Sequence, residues 1–170
     1  MITLDYVTEM AAYSRWQNDN VYRICGDIGQ EERQRDRGLF FGSIHGTLDH
    51  ICKINRTILT FIDGVMPERS SPHEVVWSDW EDLKATRQMQ DDILTEASSN
   101  WTEAWLAENI VVQNPRLDDP PTVPRWVMVV QLFNHQTHHR SQVTSALHAM
   151  GIDYGTTDMP WRPGAEYFVR

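Results

Sequence analysis

Cysteine is scarce, with two residues, Cys25 and Cys52, in a chain of 170. Two thiols so far apart make no disulfide framework, and neither belongs to a C-x-x-C pair. Both fall among apolar helical residues, where a buried structural thiol is expected. Cations are also in deficit: 15 Lys and Arg stand against 24 Asp and Glu, for a net charge of −9. Nucleic acids are bound through clustered Lys and Arg, so this balance argues against such a partner. The short run Arg33, Arg35, Arg37 is diluted by Glu31, Glu32 and Asp36 and reads as a solvated loop. No apolar run approaches membrane-spanning length, so no membrane partner is expected. Met1-Ile2-Thr3-Leu4-Asp5 carries no basic stretch followed by an apolar one, and a cytoplasmic location is expected. Repeats, low-complexity tracts and a dividing linker are missing too, which points to one domain over 1–170.

What is present suits a folded core. Apolar residues make up 41% of the chain, too many for a disordered one. Seven tryptophans are many for this length, and most are expected to anchor a core or an interface. Four stretches read as long helices. The first runs from Leu4 to Cys25 and closes near Gly26. The second runs from Ser43 to Asp63, with Ser43 as N-cap and Gly64 as stop. Ile44, Leu48, Ile51, Ile54, Ile58, Phe61 and Ile62 give it an apolar face at three- and four-residue spacing. Residues 67–72 form a loop. The third helix starts at Ser78, which makes a capping-box pattern with Glu81, and continues to about Ser98. Trp101 to Glu108 adds a short helix. From Ile110 to Val123 the chain is irregular, although Ile110-Val111-Val112 could pair as a short strand. The fourth helix begins at Pro124 and ends at Met150, and the tail from Ile152 to Arg170 is irregular. The expectation is an all-α four-helix bundle with long connections.

Seven histidines punctuate these helices. With His135 at zero and about 100° per residue, His139 lies at about +40° and His138 at about −60°. Met128, Leu132, Val143, Ala146, Leu147 and Met150 lie between about +20° and +120° on the same count. His139 is therefore inside the apolar arc, His135 at its edge and His138 on the polar side. Two imidazoles one turn apart on an inward face can share one ion. Gln142 follows on that stripe as a supporting hydrogen-bond partner. On the second helix, His50 sits at the edge of the core stripe, whereas His45 falls at about −140° from it, toward solvent. The last-helix pair reads His135-Gln136-Thr137-His138-His139. It lacks the Glu of H-E-x-x-H zinc proteases, so that mechanism has no base in its usual place.

Three segments together carry a resemblance. Ser43-Ile44-His45-Gly46-Thr47-Leu48-Asp49-His50 resembles the second-helix motif of the DinB-like, DNA-damage-inducible family. Asn134-His135-Gln136-Thr137-His138-His139-Arg140-Ser141-Gln142 resembles its last-helix motif, and Tyr13-Ser14-Arg15-Trp16-Gln17-Asn18 its first-helix signature. Ser141 departs from the pattern, since many relatives have Gly there. The resemblance implies an up-down-down-up four-helix bundle, a homodimer, and a divalent ion, nickel or zinc, held by His50, His135 and His139.

Three imidazoles leave at least one coordination position open, which is how catalytic rather than structural metal sites are built. The first reading is therefore a metal-dependent enzyme. Some relatives resemble transferases that use a low-molecular-weight thiol, and others hydrolases. No nucleophilic Ser or Cys constellation is visible, so no catalytic side chain is singled out and the ion would carry the chemistry. Supporting candidates are Gln142, Arg140, Asn134 and Trp16, with Arg140 read as a surface ion pair and Trp16 as a core aromatic. The second reading is a non-catalytic metal-binding stress-response protein that acts through a partner.

Overall fold

A computed structural model describes residues 2–66, 71, 73–113 and 117–165. Four long helices dominate: α1 (Leu4–Asp27), α3 (Ile44–Ile62), α4 (Trp80–Asn100) and α6 (Arg125–Ala149). Shorter pieces connect them: α2 (Gly29–Gln34), α5 (Glu103–Ala107), and the strands β1 (Asn109–Val111) and β2 (Thr122–Pro124). α3 packs on α6 and α4, and α1 packs on α4 and α6. The chain is thus mostly helical, with one antiparallel strand pair in register at Ile110 and Val123, where the β-branched run Ile110-Val111-Val112 left a short strand open. The expected 67–72 loop lies, Ser71 apart, outside the described residues.

The ends of the helices follow local chemistry. Ser43 caps α3, its Oγ accepting from the Gly46 N–H at 3.0 Å. Asp63 closes that helix, and Gly64 follows in the left-handed region at φ 73°, where a side chain would be strained. α4 is capped by Asp79 rather than Ser78, because the Asp79 carboxylate accepts from the N–H groups of Glu81 and Asp82. Pro124 belongs to β2, so α6 begins one residue later than expected, at Arg125.

The interior is stratified along the helix axes. One apolar cluster joins Val21, Ile24, Cys25, Ile44, Leu48, Ile51, Leu83 and Leu147. A second joins Val7, Ala11, Ile58, Ile62, Leu94, Val129, Leu132 and Phe133. Between them every long helix contributes buried polar groups: Ser14 and Asn18 from α1, Asn55 from α3, Arg87 and Asp91 from α4, Gln136 and Arg140 from α6. Asp91 receives Arg87 at 2.6 Å and Asn18 at 3.0 Å, while Arg140 donates to Asn18 and Gln136. A buried carboxylate is tolerated only with such partners. Arg140 was expected at the surface and is instead 5% exposed, with its guanidinium over the Tyr13 ring.

Arg33 also departs from expectation. It is buried in α2, donates to the Cys25 and Gly26 carbonyls at the end of α1, and stacks on Trp80. An arginine that closes a helix C-terminus helps satisfy the orphan carbonyls of the last turn. Cys25 and Cys52 are free and buried. The tryptophans border the core more than they fill it: Trp77, Trp80, Trp101, Trp105 and Trp126 pack half-buried on the two clusters, and Trp161 is exposed. Trp16 is half-buried with its ring against Tyr13. The segment after α6 lies along α1, where Asn20, Gln17 and Tyr13 donate in turn to the carbonyls of Tyr154, Thr156 and Thr157. Among the described residues, no helix is long and apolar enough to cross a membrane.

Candidate metal centre

The packing of α3 on α6 brings His50 against His135 and His139. One nitrogen from each imidazole lies within 4.8 Å of the others. Nε2 of His50 and Nε2 of His135 are 3.2 Å apart. The ring centroids are 5.2 Å apart for His50 and His135, 4.7 Å for His50 and His139, and 4.5 Å for His135 and His139. His50 and His139 are buried and His135 is half-buried. Among the described residues no carboxylate or thiol joins the cluster.

Burial works against the charged form of two of the imidazoles. Burial, followed by the neighbouring His139 and His138, pushes the pKa of His135 down to about 4. Burial also lowers that of His139; the Gln142 hydrogen bond opposes the fall and His138 adds to it. A neutral imidazole is the form that binds a metal. Nδ1–H of His139 donates to Oε1 of Gln142 at 2.8 Å, which leaves Nε2 as the ring's free lone pair. The Gln142 amide nitrogen in turn reaches Nε2 of His138 at 3.5 Å.

These residues fit a divalent ion in donor type and in the spacing of one edge. Metal–imidazole bonds of about 2.0–2.1 Å at tetrahedral angles put ligand nitrogens about 3.3 Å apart. The observed 3.2 Å between His50 and His135 is that edge length. A lone hydrogen bond between two neutral imidazoles has the same length, but it leaves the third ring without a reason to be there. Three nitrogen donors without a carboxylate suit zinc, nickel or another borderline transition ion better than magnesium or calcium.

Phe41 closes one flank. Its ring stacks on His50 at 3.8 Å and meets His139 at 5.4 Å. It sits in a tight turn in which the Gly42 N–H donates to the Leu39 carbonyl at 2.8 Å. The sequence signal for it was weak but present: adjacent aromatics in a glycine-punctuated segment directly before the helix that carries His50.

The other candidates separate cleanly. Arg140 points into the buried polar layer toward Asn18 and Gln136. Asn134 is exposed and makes no side-chain hydrogen bond among the described residues. His138 is exposed, as the helix-angle count implied. His45, expected toward solvent, is 4% exposed and its Nε2–H donates to the Trp77 carbonyl at 2.7 Å. The reason is that α3 has no solvated face there: residues 44–53 are all buried, between α6 on one side and the 73–77 connection on another.

A family model described as the DinB family matches residues 1–167. No curated protein and no solved structure matches the chain.

Proposed function

The chain belongs to the DinB family, and from that premise we propose that it is a metal-dependent enzyme whose divalent ion is held by His50, His135 and His139. The observation that carries this reading is the convergence of three imidazole nitrogens within 4.8 Å, with no fourth protein ligand among the described residues. Nickel or zinc suits the donor set. The finer arrangement of the helices that goes with this reading is an up-down-down-up bundle.

An ion in this position supplies Lewis acidity, which activates a water or a thiol. The protein's own contribution is orientation and exclusion. Gln142 fixes the tautomer of His139. Phe41 covers His50 and keeps water from that flank. The buried Ile44–Lys53 segment holds its helix, and with it His50, in a single position. With no fourth protein ligand among the described residues, a bound ion would have room for a substrate group, either a low-molecular-weight thiol or a hydrolysable group.

The first test is elemental analysis of protein purified without a histidine tag. Near-stoichiometric nickel or zinc is expected, and His50→Ala is expected to lose it. Retention of the full metal content by His50→Ala would sink the assignment. The second test is turnover of a thiol with an electrophile by metal-loaded protein, and of ester and amide substrates. His139→Ala must abolish it; a variant that turns over like the parent removes the ion from the chemistry.

A further inference from the structure

The reading above leaves open what kind of group sits at the ion. Phe41 is only the inner half of an aromatic pair. Phe40 meets it edge-on at 4.9 Å and is 68% exposed. His73, from the connection before α4, lies 5.3 Å from Phe40 with the rings 32° apart, and 5.6 Å from Phe41. Three rings therefore extend outward from His50 without a break: Phe41 on the imidazole, then Phe40 and His73 toward solvent.

The arrangement is held rigid from both sides. Phe40 and Phe41 are the central residues of the Leu39–Gly42 turn, which is closed by Gly42 N–H to Leu39 O and by Arg37 N–H to Gly42 O, each at 2.8 Å. The turn presses on α3 so closely that a Cβ on Gly46 would lie 2.5 Å from the Phe41 carbonyl oxygen. The segment that bears His73 is fastened to α3 by a separate polar stripe. Lys53 donates to the carbonyls of Ser71 and Glu74, Asp49 accepts from the N–H groups of Val76 and Trp77, and His45 donates to Trp77. An exposed phenyl ring on a mobile loop needs no account. One fixed on a closed turn, continuous with the imidazoles, forms a preorganised apolar surface that loses little entropy on binding.

We infer that Phe40, Phe41 and His73 form a lip that receives a flat apolar or aromatic group of the molecule bound at the ion, so that aromatic substrates are selected over compact polar ones. Phe40 is the specificity-determining residue of this lip. The inference rests on the metal reading, and it gives that reading a substrate class.

The test uses cobalt(II)-loaded protein, whose visible spectrum reports ligation, and two probes that coordinate through the same nitrogen: 1-methylimidazole and 1-benzylimidazole. The benzyl probe is expected to bind about three- to tenfold more tightly, the range set by one aromatic contact. Phe40→Ala is expected to bring the ratio of the two affinities to about one, and Phe40→Trp to restore it. Because Phe40 is largely exposed, neither change threatens the fold. Equal affinities for the two probes in the parent, or a ratio unchanged in Phe40→Ala, overturn the lip and leave the metal reading standing. No spectral response to 1-methylimidazole overturns the open coordination position, and the lip falls with it.

Discussion

Gln142 offers the sharpest test of how the protein tunes its metal centre. Its Oε1 accepts from Nδ1–H of His139 at 2.8 Å, which directs the lone pair of Nε2 to the other two imidazoles. Without that acceptor the ring divides between two tautomers and can turn about its own axis. Outer partners of this kind are worth about 10–100-fold in metal affinity. Gln142 is half-buried, so water replaces part of what is lost and the lower end applies: about tenfold, or roughly 1.4 kcal/mol, for Gln142→Ala. Gln142→Glu puts a charged acceptor in the same place, and charge-assisted hydrogen bonds are about twice as strong as neutral ones, so this variant is expected to bind more tightly than the parent. The assay is competition for zinc against a chromophoric chelator. His138→Ala is the control, since that ring is exposed and outside the three-nitrogen cluster, and a change of no more than about twofold is expected. If Gln142→Ala binds zinc as the parent does, the tautomer argument is wrong.

Three further outcomes follow from the packing. Asp91→Asn removes the one buried carboxylate that faces Arg87, with both side chains 3% exposed, and is expected to cost about 3–5 kcal/mol. Urea denaturation then shows a midpoint lower by roughly 2 M, and an unchanged midpoint would mean that the buried cation is compensated elsewhere. Gly46→Ala drives a Cβ to 2.5 Å from the Phe41 carbonyl and is expected to cost about 1–3 kcal/mol, a fall in Tm of roughly 2–12 °C. A variant that melts with the parent would show that the turn is not pressed on the helix. Burial pushes the Cys25 thiol up to about 12, so at pH 8 only about one molecule in ten thousand carries the thiolate. Cys25 and Cys52 should therefore react with an aromatic disulfide reagent only after denaturant is added, and rapid labelling of the native protein would contradict their burial.

Much of the helical framework was legible because it depends on local chemistry. The spacing of Ile44, Leu48, Ile51, Ile58 and Ile62 marks one helix face, and Ser43 and Gly64 mark its ends. The start of α4 was misjudged by one residue because Ser78 and Asp79 are both good caps, and only the carboxylate reaches two N–H groups. The histidine trio was legible because two of its members lie one turn apart and the third lies at the edge of another apolar stripe. Arg140 was misread although the helix count held the clue. It lies about 40° from Gln136, on the inward side of α6. The rule that arginines sit outside overrode that position, and no sequence pattern announces that Asp91 and Asn18 wait across the bundle. Arg33 was misread for a related reason, since its partners are the carbonyls at the end of α1, which sequence does not display.

His45 shows why angle counting alone misplaces a residue. The count assumes that a helix has one wet side, and α3 has none over its first ten residues, 44–53. Two polar stripes run along it instead. One is His50, which meets α6 and Phe41. The other is His45, Asp49 and Lys53, four residues apart, which take up backbone groups of Ser71, Glu74, Val76 and Trp77. Both stripes stand on one rigid helix, so the connection that carries His73 is placed in register with the imidazole of His50. A change in the second stripe reaches the lip without touching the ligand. Asp49→Ala leaves the Val76 and Trp77 N–H groups without the one oxygen that accepts from both, at a site 1% exposed, and is therefore expected to loosen the connection and to reduce discrimination between 1-benzylimidazole and 1-methylimidazole, with zinc affinity changed far less than by Gln142→Ala. If discrimination survives in Asp49→Ala while the connection becomes protease-sensitive, His73 is not part of the lip and Phe40 carries it alone.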